Sequence, residues 1–421
     1  MKRRVHGTLH GNVTPPPSKS QAHRLLICAA LGNEPSSVVC NSVNDDIMAT
    51  MRCLNSLGAE ITFSSGVFDI KPVKVVKRGE LDCGESGSTL RFLMSVAAVL
   101  GADATFVGRG KLPQRPMGAL TDLLSVHGIE FSRHTADELP VSCRGTLDGG
   151  KFVLPGDISS QYLTGLLFAL PLASCDSSIE ITGTLTSASY IDMTIDALRT
   201  SGIVVERYGN VFNIKGNQCY RLPERVVVEG DWSSAAFWVV AGVIGKQPLT
   251  VCGMNNGSIQ GDSAIIDHLR SMGAFIETVG DKVVAMPSHL FGAELDCMDT
   301  PDLVPVLSIA AATAQGTTTF TNVGRLRFKE SDRLAAMKSV LASFGIDSTI
   351  GEDTFTVYGG EPRAISPVDS FGDHRIAMSA AIMSTVAQGT TIISGTGCVA
   401  KSYPSFFEDF AALGGVVEKV V

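Results

Sequence analysis

Six internal repeats constrain the fold of this chain more than any other feature of its sequence. A motif of apolar residues around a glycine recurs as LNSLGAEI, LLSVHGIEF, LRTSGIVV, LRSMGAFI, LASFGIDS and FAALGGVV. Its glycines are Gly58, Gly128, Gly202, Gly273, Gly345 and Gly414. Successive glycines are 70, 74, 71, 72 and 69 residues apart. Each copy is typical of the last turn of a helix, a glycine that ends it, and a following strand.

A second series keeps the same step: stretches such as SVAAVLGADATFVG and AAATAQGTTTFTN run from a small-residue helix through a turn into a strand. Chance similarity between alanine-rich helices is the alternative explanation. A true repeat is favoured because the glycine motif and the second series recur with the same period. A period near 70 is too long for the common solenoid repeats. The chain of 421 residues also exceeds what one core usually serves. We therefore predict an α/β fold of two similar domains, each with three repeats.

Composition excludes several classes of function. The formal net charge is −8 and no lysine- or arginine-rich block occurs, which argues against a nucleic-acid partner. The ten cysteines include no C-x-x-C pair, so neither a zinc site nor a disulfide framework is indicated. No apolar stretch approaches the length of a membrane span, and the basic N-terminus is not followed by an apolar signal region. We expect a soluble, cytoplasmic protein without a membrane partner.

A cluster of small polar residues precedes each helix of the second series. The clusters are Ser18-Lys19-Ser20, Glu85-Ser86-Gly87-Ser88-Thr89, Ser159-Ser160-Gln161, Asp231-Trp232-Ser233-Ser234, Asp299-Thr300-Pro301-Asp302 and Gly372-Asp373-His374-Arg375. Any one of them is explained as an ordinary helix N-cap. Six at equivalent repeat positions also allow several helix N-termini to form an anion site.

Cations and carboxylates in or near these clusters and the neighbouring turns are the candidate binding and acid–base groups. The cations are Lys19, Arg24, Arg91, Arg115, Arg325, Arg327, Lys329, Arg333, Arg375 and Lys401. The carboxylates are Asp302, Glu330, Asp332 and Asp373. Each alone is as readily a solvated surface charge, but together they indicate a ligand with several negative groups. No P-loop and no serine or cysteine nucleophile motif is present.

Nine segments, in order, resemble the EPSP synthase family of enolpyruvyl transferases. They are PPSKSQAHR, ESGSTLRFL, LPQRPMG, ISSQYLTGLL, SYIDMT, TPDLVP, RFKESDRL, DHRIAM and CVAKSYP. The resemblance extends from about residue 10 to about residue 408. It implies an inside-out α/β barrel of three βαβαββ units in each domain. One domain would combine residues 1–13 with 230–421 on the phosphoenolpyruvate side, and residues 14–229 would form the inserted domain on the shikimate-phosphate side.

The resemblance also implies the substrates, phosphoenolpyruvate and shikimate 3-phosphate, and a place in aromatic amino acid biosynthesis as a glyphosate target. It implies no cofactor and no metal, and we expect a monomer. Positions matching shikimate 3-phosphate ligands are Lys19, Ser20, Arg24, Ser159, Ser160, Gln161, Ser187, Asp302 and Lys329, with Tyr190 beside them. Positions matching phosphoenolpyruvate ligands are Lys19, Gly87, Arg115, Gln161, Arg333, Arg375 and Lys401.

The implied reaction is an addition followed by an elimination. Asp302 matches the base for the attacking hydroxyl, Glu330 matches the acid that protonates the enol carbon, and Lys19 completes the catalytic set. Two phosphates and two carboxylates meet in this reaction, which explains the number of cations.

Three positions depart from the family pattern, and three rival functions are open. Glu85 replaces a common asparagine, Phe92 a common proline, and Arg325 an asparagine of some members.

The first rival function is that of a sister transferase acting on UDP-N-acetylglucosamine. It carries Lys-Asn where this chain has Lys19-Ser20, and usually a reactive cysteine at the position of Gly110. The second is a binding module such as an RNA-end-processing relative, which the acidic charge disfavours, and the third is a non-catalytic repeat protein.

Overall fold

A computed structural model describes residues 1–156 and 159–420, so Ile158 of the ISSQYLTGLL segment and Val421 lie outside the described residues. The chain divides into two compact units. The first unit comprises Met1–Ser18 and Glu229–Val421, and the second comprises Lys19–Val228. None of the helices in the described part of the chain is long and apolar enough to cross a bilayer.

The described residues form 24 strands, 12 α-helices and five short 3-10 helices. The strands are β1 (Lys2–His6), β2 (Gly11–Val13), β3 (Ser36–Val39), β4 (Glu60–Ser64), β5 (Val67–Lys71), β6 (Gly79–Asp82), β7 (Ala104–Val107), β8 (Glu130–Arg133), β9 (Val141–Arg144), β10 (Lys151–Pro155), β11 (Ser177–Thr182), β12 (Val205–Tyr208), β13 (Val211–Ile214), β14 (Arg225–Val227), β15 (Leu249–Val251), β16 (Phe275–Val279), β17 (Lys282–Met286), β18 (Glu294–Asp296), β19 (Thr317–Thr321), β20 (Ser348–Ile350), β21 (Thr354–Tyr358), β22 (Val368–Asp369), β23 (Thr391–Ser394) and β24 (Val416–Val420). The α-helices are α1 (Lys19–Ala30), α2 (Asp45–Leu57), α3 (Gly87–Val99), α4 (Gly118–Val126), α5 (Ser160–Ala169), α6 (Ala188–Thr200), α7 (Trp232–Ile244), α8 (Ile265–Ser271), α9 (Val304–Thr313), α10 (Arg333–Ser343), α11 (His374–Met383) and α12 (Phe406–Ala412). The 3-10 helices are Leu112–Gln114, Leu170–Leu172, Gly261–Ala264, Gly324–Phe328 and Thr396–Lys401.

The strands of the described chain form six four-stranded sheets that share one pattern of parallel and antiparallel pairs. In the second unit the orders are β14-β3-β5-β4, β6-β7-β9-β8 and β10-β11-β13-β12. In the first unit they are β2-β15-β17-β16, β18-β19-β21-β20 and β22-β23-β1-β24. The first pair in each order is parallel and the other two pairs are antiparallel. The predicted α/β fold of six βαβαββ repeats is therefore confirmed.

The repeat glycines lie where the sequence pattern predicts them. All six have positive φ, from +74° at Gly345 to +117° at Gly58, and each follows the last turn of a helix. A residue with a Cβ is disfavoured in this left-handed conformation. The conformation turns the chain from each even-numbered helix toward the next strand of its repeat.

Two strands are exchanged where the chain passes between the units. In chain order β2 precedes α1, yet it pairs in parallel with β15 of the first unit. Conversely, β14 precedes α7 but pairs in parallel with β3 of the second unit. Each exchanged strand takes the outer parallel position of its sheet, so both sheets still have four strands.

The first crossing lies slightly later in the chain than the sequence predicts. We predict it near residue 13, whereas residues 14–18 keep their contacts within the first unit. The physical reason is backbone pairing: Ser18 N–H donates to the Glu229 carbonyl at 2.7 Å, and Asp231 N–H donates to that of Pro16 at 2.9 Å. The second crossing lies between Val228 and Glu229.

Each unit has its own hydrophobic core around the odd-numbered helices. In α9 every residue of Val304–Ala312 is buried, and in α3 the same holds for Thr89–Ala98. Helices that are apolar on all sides must lie inside a core rather than on its surface. Gly165 of α5 packs against α3 so closely that an added Cβ would lie 2.6 Å from the Arg91 carbonyl oxygen.

Candidate active site

Four of the six polar clusters contain the side chain that caps the following helix. Ser86, Ser159, Asp231 and Asp373 precede α3, α5, α7 and α11, and each side chain accepts a backbone N–H of the first turn. In α9 the residue before the helix is Leu303, which makes no side-chain cap, and Pro305 follows in the first turn. The N-cap explanation is thus correct for these four clusters, and the chemistry depends on what lies around them.

In the first unit a single buried arginine joins three carboxylates. Arg333 is only 2% exposed, and its Nη1 donates to Asp302 Oδ1 at 2.6 Å. Its Nη2 donates to Glu330 Oε2 at 2.8 Å, and its Nε donates to Asp373 Oδ2 at 2.8 Å. Burial alone lowers the pKa of Arg333, but these negative charges raise it well above its ordinary value. The guanidinium fork therefore fixes the relative positions of the predicted base and the predicted acid.

Two further cations surround Asp302. Arg375 Nη2 donates to Asp302 Oδ2 at 3.1 Å, and Lys329 Nζ lies 3.8 Å from Oδ1. Burial raises the pKa of Asp302, but the charges of Arg375, Lys329 and Arg333 outweigh it and hold this pKa well below its usual value. Asp302 is therefore an ionised carboxylate at neutral pH, as a proton acceptor must be.

Glu330 contacts a second cation, and Asp373 anchors the cluster. Lys401, 8% exposed, lies 3.7 Å from Glu330 Oε1. Asp373 is fully buried and accepts the Ser331 hydroxyl at 3.1 Å besides Arg333. Its other oxygen accepts the Arg375 backbone N–H at 2.9 Å. The sequence made Asp373 a candidate for acid–base chemistry, but its three partners make it an anchor for Arg333 and α11.

One carboxyl group near this cluster was not found by sequence reasoning. Asp262 is 4% exposed, accepts the Ser233 hydroxyl, and leaves its Oδ1 buried without a hydrogen-bond partner in the described structure. Burial and, to a smaller degree, the negative charge of Asp302 raise its pKa to about 6. The residue lies in a 3-10 turn without a repeated motif, so no sequence signal marked it.

In the second unit, Lys19 at the start of α1 pairs with a carboxylate of α2. Its Nζ lies 3.0 Å from Asp46 Oδ2, and the two side chains are 16% and 4% exposed. Asp46 belongs to the first turn of α2, where Asn44 caps the helix by accepting the Ile47 N–H. Asp46 was also missed by the sequence analysis, although the Asn-Asp-Asp run is a recognisable helix start.

Arg24, one turn after Ser20 in α1, is held by three hydrogen bonds. Its Nε donates to Thr194 Oγ1 at 3.0 Å, its Nη1 to the Ser20 carbonyl at 2.6 Å, and its Nη2 to the Tyr190 carbonyl at 2.8 Å. The side chain is 2% exposed, and burial lowers its pKa to about 10, so it is still charged at neutral pH. The structure thus brings Arg24 next to the predicted neighbour Tyr190.

Ser187, directly before α6, has a strained backbone. Its φ of +58° and ψ of +42° lie in the left-handed region, and the residue is 5% exposed. Such a conformation costs energy in a residue with a Cβ, and residues of this kind cluster at functional sites. The predicted ligand position is therefore also a conformational outlier.

Gln161 connects α5 to α3. Its side-chain oxygen accepts Arg91 Nη1 at 2.6 Å, and its Nε2 donates to Ser88 Oγ at 3.0 Å. Ser160 is the first residue of α5, and Ser159 caps that helix by accepting the Gln161 N–H. These two serines and Gln161 lie together at one helix N-terminus, as the sequence predicts.

Arg115 lies directly over Gly87. A Cβ added at Gly87 would be 2.6 Å from Arg115 Nη1, so only glycine leaves the guanidinium in this position. The loop is fixed at the next residue, because Tyr162 Oη donates to the Pro116 carbonyl at 2.8 Å and Arg91 Nη2 donates to it at 3.2 Å. A cation thus lies at the N-terminus of α3, where the helix dipole also favours an anion.

Two of the three departures from the family pattern, Glu85 and Arg325, make contacts within their own unit. The carboxylate of Glu85 covers Gly110, where an added Cβ would lie 2.7 Å from Glu85 Cδ and where φ is +62°. A cysteine at position 110 would be both crowded and strained. Arg325 Nη2 donates to the Met298 carbonyl, which connects the 3-10 helix Gly324–Phe328 to the loop before α9.

Six βαβαββ repeats, with cations, carboxylates and small polar residues at their helix N-termini, define the chain as an enolpyruvyl transferase. Comparison with known families shows to which family of enolpyruvyl transferases the chain belongs. Residues 4–410 match the family model of EPSP synthase, 3-phosphoshikimate 1-carboxyvinyltransferase. The chain belongs to this family, as its motifs predict.

Relatives and solved structures agree with this placement. The 3-phosphoshikimate 1-carboxyvinyltransferase of Clostridium kluyveri is 43% identical over 98% of this chain and 96% of that protein. That of Clostridium acetobutylicum is 40% identical over the same shares. The EPSP synthase structure from Acinetobacter baumannii has a TM-score of 0.83 at 27% identity and covers 99% of this chain and 100% of its own. The enolpyruvyl transferase NikO from Streptomyces tendae, at 19% identity and a TM-score of 0.78, shares the fold over 99% of this chain and 98% of its own.

Proposed function

We propose that the two residue clusters carry out the family reaction, in which the enolpyruvyl group of phosphoenolpyruvate is transferred to the 5-hydroxyl of shikimate 3-phosphate. In the first unit, Arg333, Arg375 and Lys401 would bind phosphoenolpyruvate, while Asp302 and Lys329 contact shikimate 3-phosphate. The observation that carries this proposal is the bridging of Asp302 and Glu330 by the buried Arg333. It holds a base and an acid in one rigid group.

The second unit would supply most of the shikimate 3-phosphate ligands. These are Lys19, Ser20, Arg24, Ser159, Ser160, Gln161 and Ser187. Gly87 and Arg115, with Lys19 and Gln161, would contact phosphoenolpyruvate. Helix N-termini and arginine side chains are both suited to phosphate and carboxylate groups.

In the proposed mechanism Asp302 removes the proton of the 5-hydroxyl as its oxygen attacks C2 of phosphoenolpyruvate. Glu330 gives a proton to C3, and the product is a tetrahedral ketal. Glu330, now a carboxylate, takes a proton back from C3 as the C2–O bond to phosphate breaks, which restores the double bond and releases phosphate. Lys19, Arg333 and the other cations would stabilise the negative charge that moves between oxygen atoms.

The experiment that tests this function is phosphate release from phosphoenolpyruvate with different acceptors. We expect release to require shikimate 3-phosphate and to be absent or far slower with UDP-N-acetylglucosamine. The reason lies in Lys19-Ser20 and in Gly110, which Glu85 covers. Equal or faster release with the nucleotide sugar would refute the assignment. We further propose a monomer, which sedimentation velocity would test.

The pKa of Lys329 predicts a pH dependence of shikimate 3-phosphate binding. Burial lowers this pKa to about 8, so the ammonium group loses its charge as the pH rises through that value. The substrate phosphate is already fully ionised there, since its second pKa is about 6. We expect the KM for shikimate 3-phosphate to rise roughly eightfold between pH ~7.5 and ~9 if binding needs the charged lysine.

Lys329→Arg is the matched control, because arginine stays protonated throughout this range. Its KM can differ from that of the native enzyme at the lower pH, but the value should not change with pH. The same rise in both enzymes would assign the pH dependence to another group.

Gly87→Ala should affect a longer inhibitor more than the substrate. The added methyl would press against Arg115 Nη1, which must move away from the N-terminus of α3. Glyphosate is longer than phosphoenolpyruvate, so it tolerates less crowding there. We expect its inhibition constant to rise more than the KM for phosphoenolpyruvate, measured in one steady-state series. Equal increases would instead indicate general damage to the pocket.

A further inference from the structure

Phe92 of α3 contacts the guanidinium group of Arg24 within the second unit. The Cζ of Arg24 lies 5.4 Å from the centre of the Phe92 ring, within the range of cation–π attraction. Phe92 is 2% exposed, so water does not weaken this contact. The proposed function assigns no role to Phe92.

The hydrogen bonds of Arg24 and its contact with Phe92 come from different helices. The three protein acceptors lie on α1 and α6, and hydrogen bonds of a guanidinium run in its plane. A guanidinium has five N–H donors, and the described residues accept three of those of Arg24, which leaves one on each terminal nitrogen. Two donors on neighbouring nitrogens suit the two oxygens of a carboxylate or phosphate.

The hydrogen bonds hold Arg24 from α1 and α6, and the Phe92 ring adds a contact from α3. Phe92 also packs edge-to-face against Phe168 in the core of the second unit, with ring centres 5.9 Å apart. A guanidinium that is held from three helices loses less freedom when it binds an anion.

We propose that Phe92 is a positioning residue for shikimate 3-phosphate binding, which acts by holding the guanidinium of Arg24 in its binding orientation. This inference rests on the proposed role of Arg24. It gives Phe92 a function in substrate affinity rather than in packing alone.

The test compares Phe92→Leu with Phe168→Leu by calorimetric titration of shikimate 3-phosphate. Both changes remove a buried ring of the same cluster, but the cation–π contacts of the described chain do not include Phe168. We expect Phe92→Leu to raise the Kd roughly 5- to 30-fold, while Phe168→Leu changes it less than about twofold. Phe92→Tyr, which keeps the ring, should restore most of the affinity.

A double-mutant cycle with Arg24→Gln separates the contact from general packing. In that neutral background Phe92→Leu should have almost no further effect on the Kd. Equal losses in Phe92→Leu and Phe168→Leu, or an undiminished effect of Phe92→Leu beside Arg24→Gln, would overturn the inference. If the folded native chain fails to bind shikimate 3-phosphate at all, the proposed function itself is wrong, and the role of Phe92 with it.

Discussion

Asp302→Asn and Glu330→Gln should each lower kcat by about 100-fold or more, with little change in the Kd of either substrate. Removal of a general acid or base typically costs roughly 10²- to 10⁴-fold. Both replacements keep the size of the side chain and its contact with Arg333. The ligand-binding cations therefore stay in place, and the loss should fall on the chemical step. Single-turnover kinetics and calorimetric titration would separate the two quantities.

Asp332→Asn is the matched control for this pair. Asp332 follows Glu330 closely in the chain, but its carboxylate caps α10 by accepting the Ala335 N–H at 3.0 Å. The amide oxygen of asparagine can accept the same hydrogen bond, so kcat should change less than about twofold. Near-normal turnover in Asp302→Asn or in Glu330→Gln would show that the assigned role is wrong.

Arg333→Met should destabilise the chain by about 3–5 kcal/mol, besides abolishing activity, because truncation of one partner of a buried ion pair leaves the remaining charges without compensation. Here three carboxylates lose one guanidinium, and Asp373 has no exposed surface. Equilibrium urea unfolding, followed by circular dichroism, would measure the change.

Arg363→Met is the matched control, because it measures the effect on stability of removing an arginine that is not buried. Arg363 pairs with Glu361 at 3.4 Å on the surface, where both side chains are more than half exposed. An exposed pair contributes at most about 1 kcal/mol, so this variant should unfold close to the native midpoint. If both variants lose the same stability, the buried cluster is not the anchor that its geometry indicates.

Much of the fold follows from local rules that the sequence displays directly. The six glycines were predicted from their spacing, because a helix that turns into a strand needs a left-handed residue at its end. The clusters before α3, α5, α7 and α11 were recognisable because serine and aspartate satisfy free backbone N–H groups there. Both signals lie within a few residues of the structure that they determine.

The candidate site was partly predictable for a different reason. Lys19, Asp302, Glu330, Arg333 and Arg375 stand in motifs whose order and spacing match a family, so their identity could be read without a structure. The pairing of these side chains could not be predicted from the sequence, since partners such as Arg333 and Asp373 are 40 residues apart in the chain. Asp46 and Asp262 were missed because neither stands in a motif of this kind.

The sequence by itself therefore determined the repeat, the helix ends, the family and most of the residues that form the two clusters. Only the tertiary structure decided which charges pair, which of them are buried, and that β2 and β14 are the exchanged strands. It also decided that Phe92 contacts the guanidinium of Arg24. The physical reason is the sequence separation of the interacting residues. Helix ends and turns depend on neighbours in sequence, whereas desolvation and ion pairing depend on groups brought together from distant repeats.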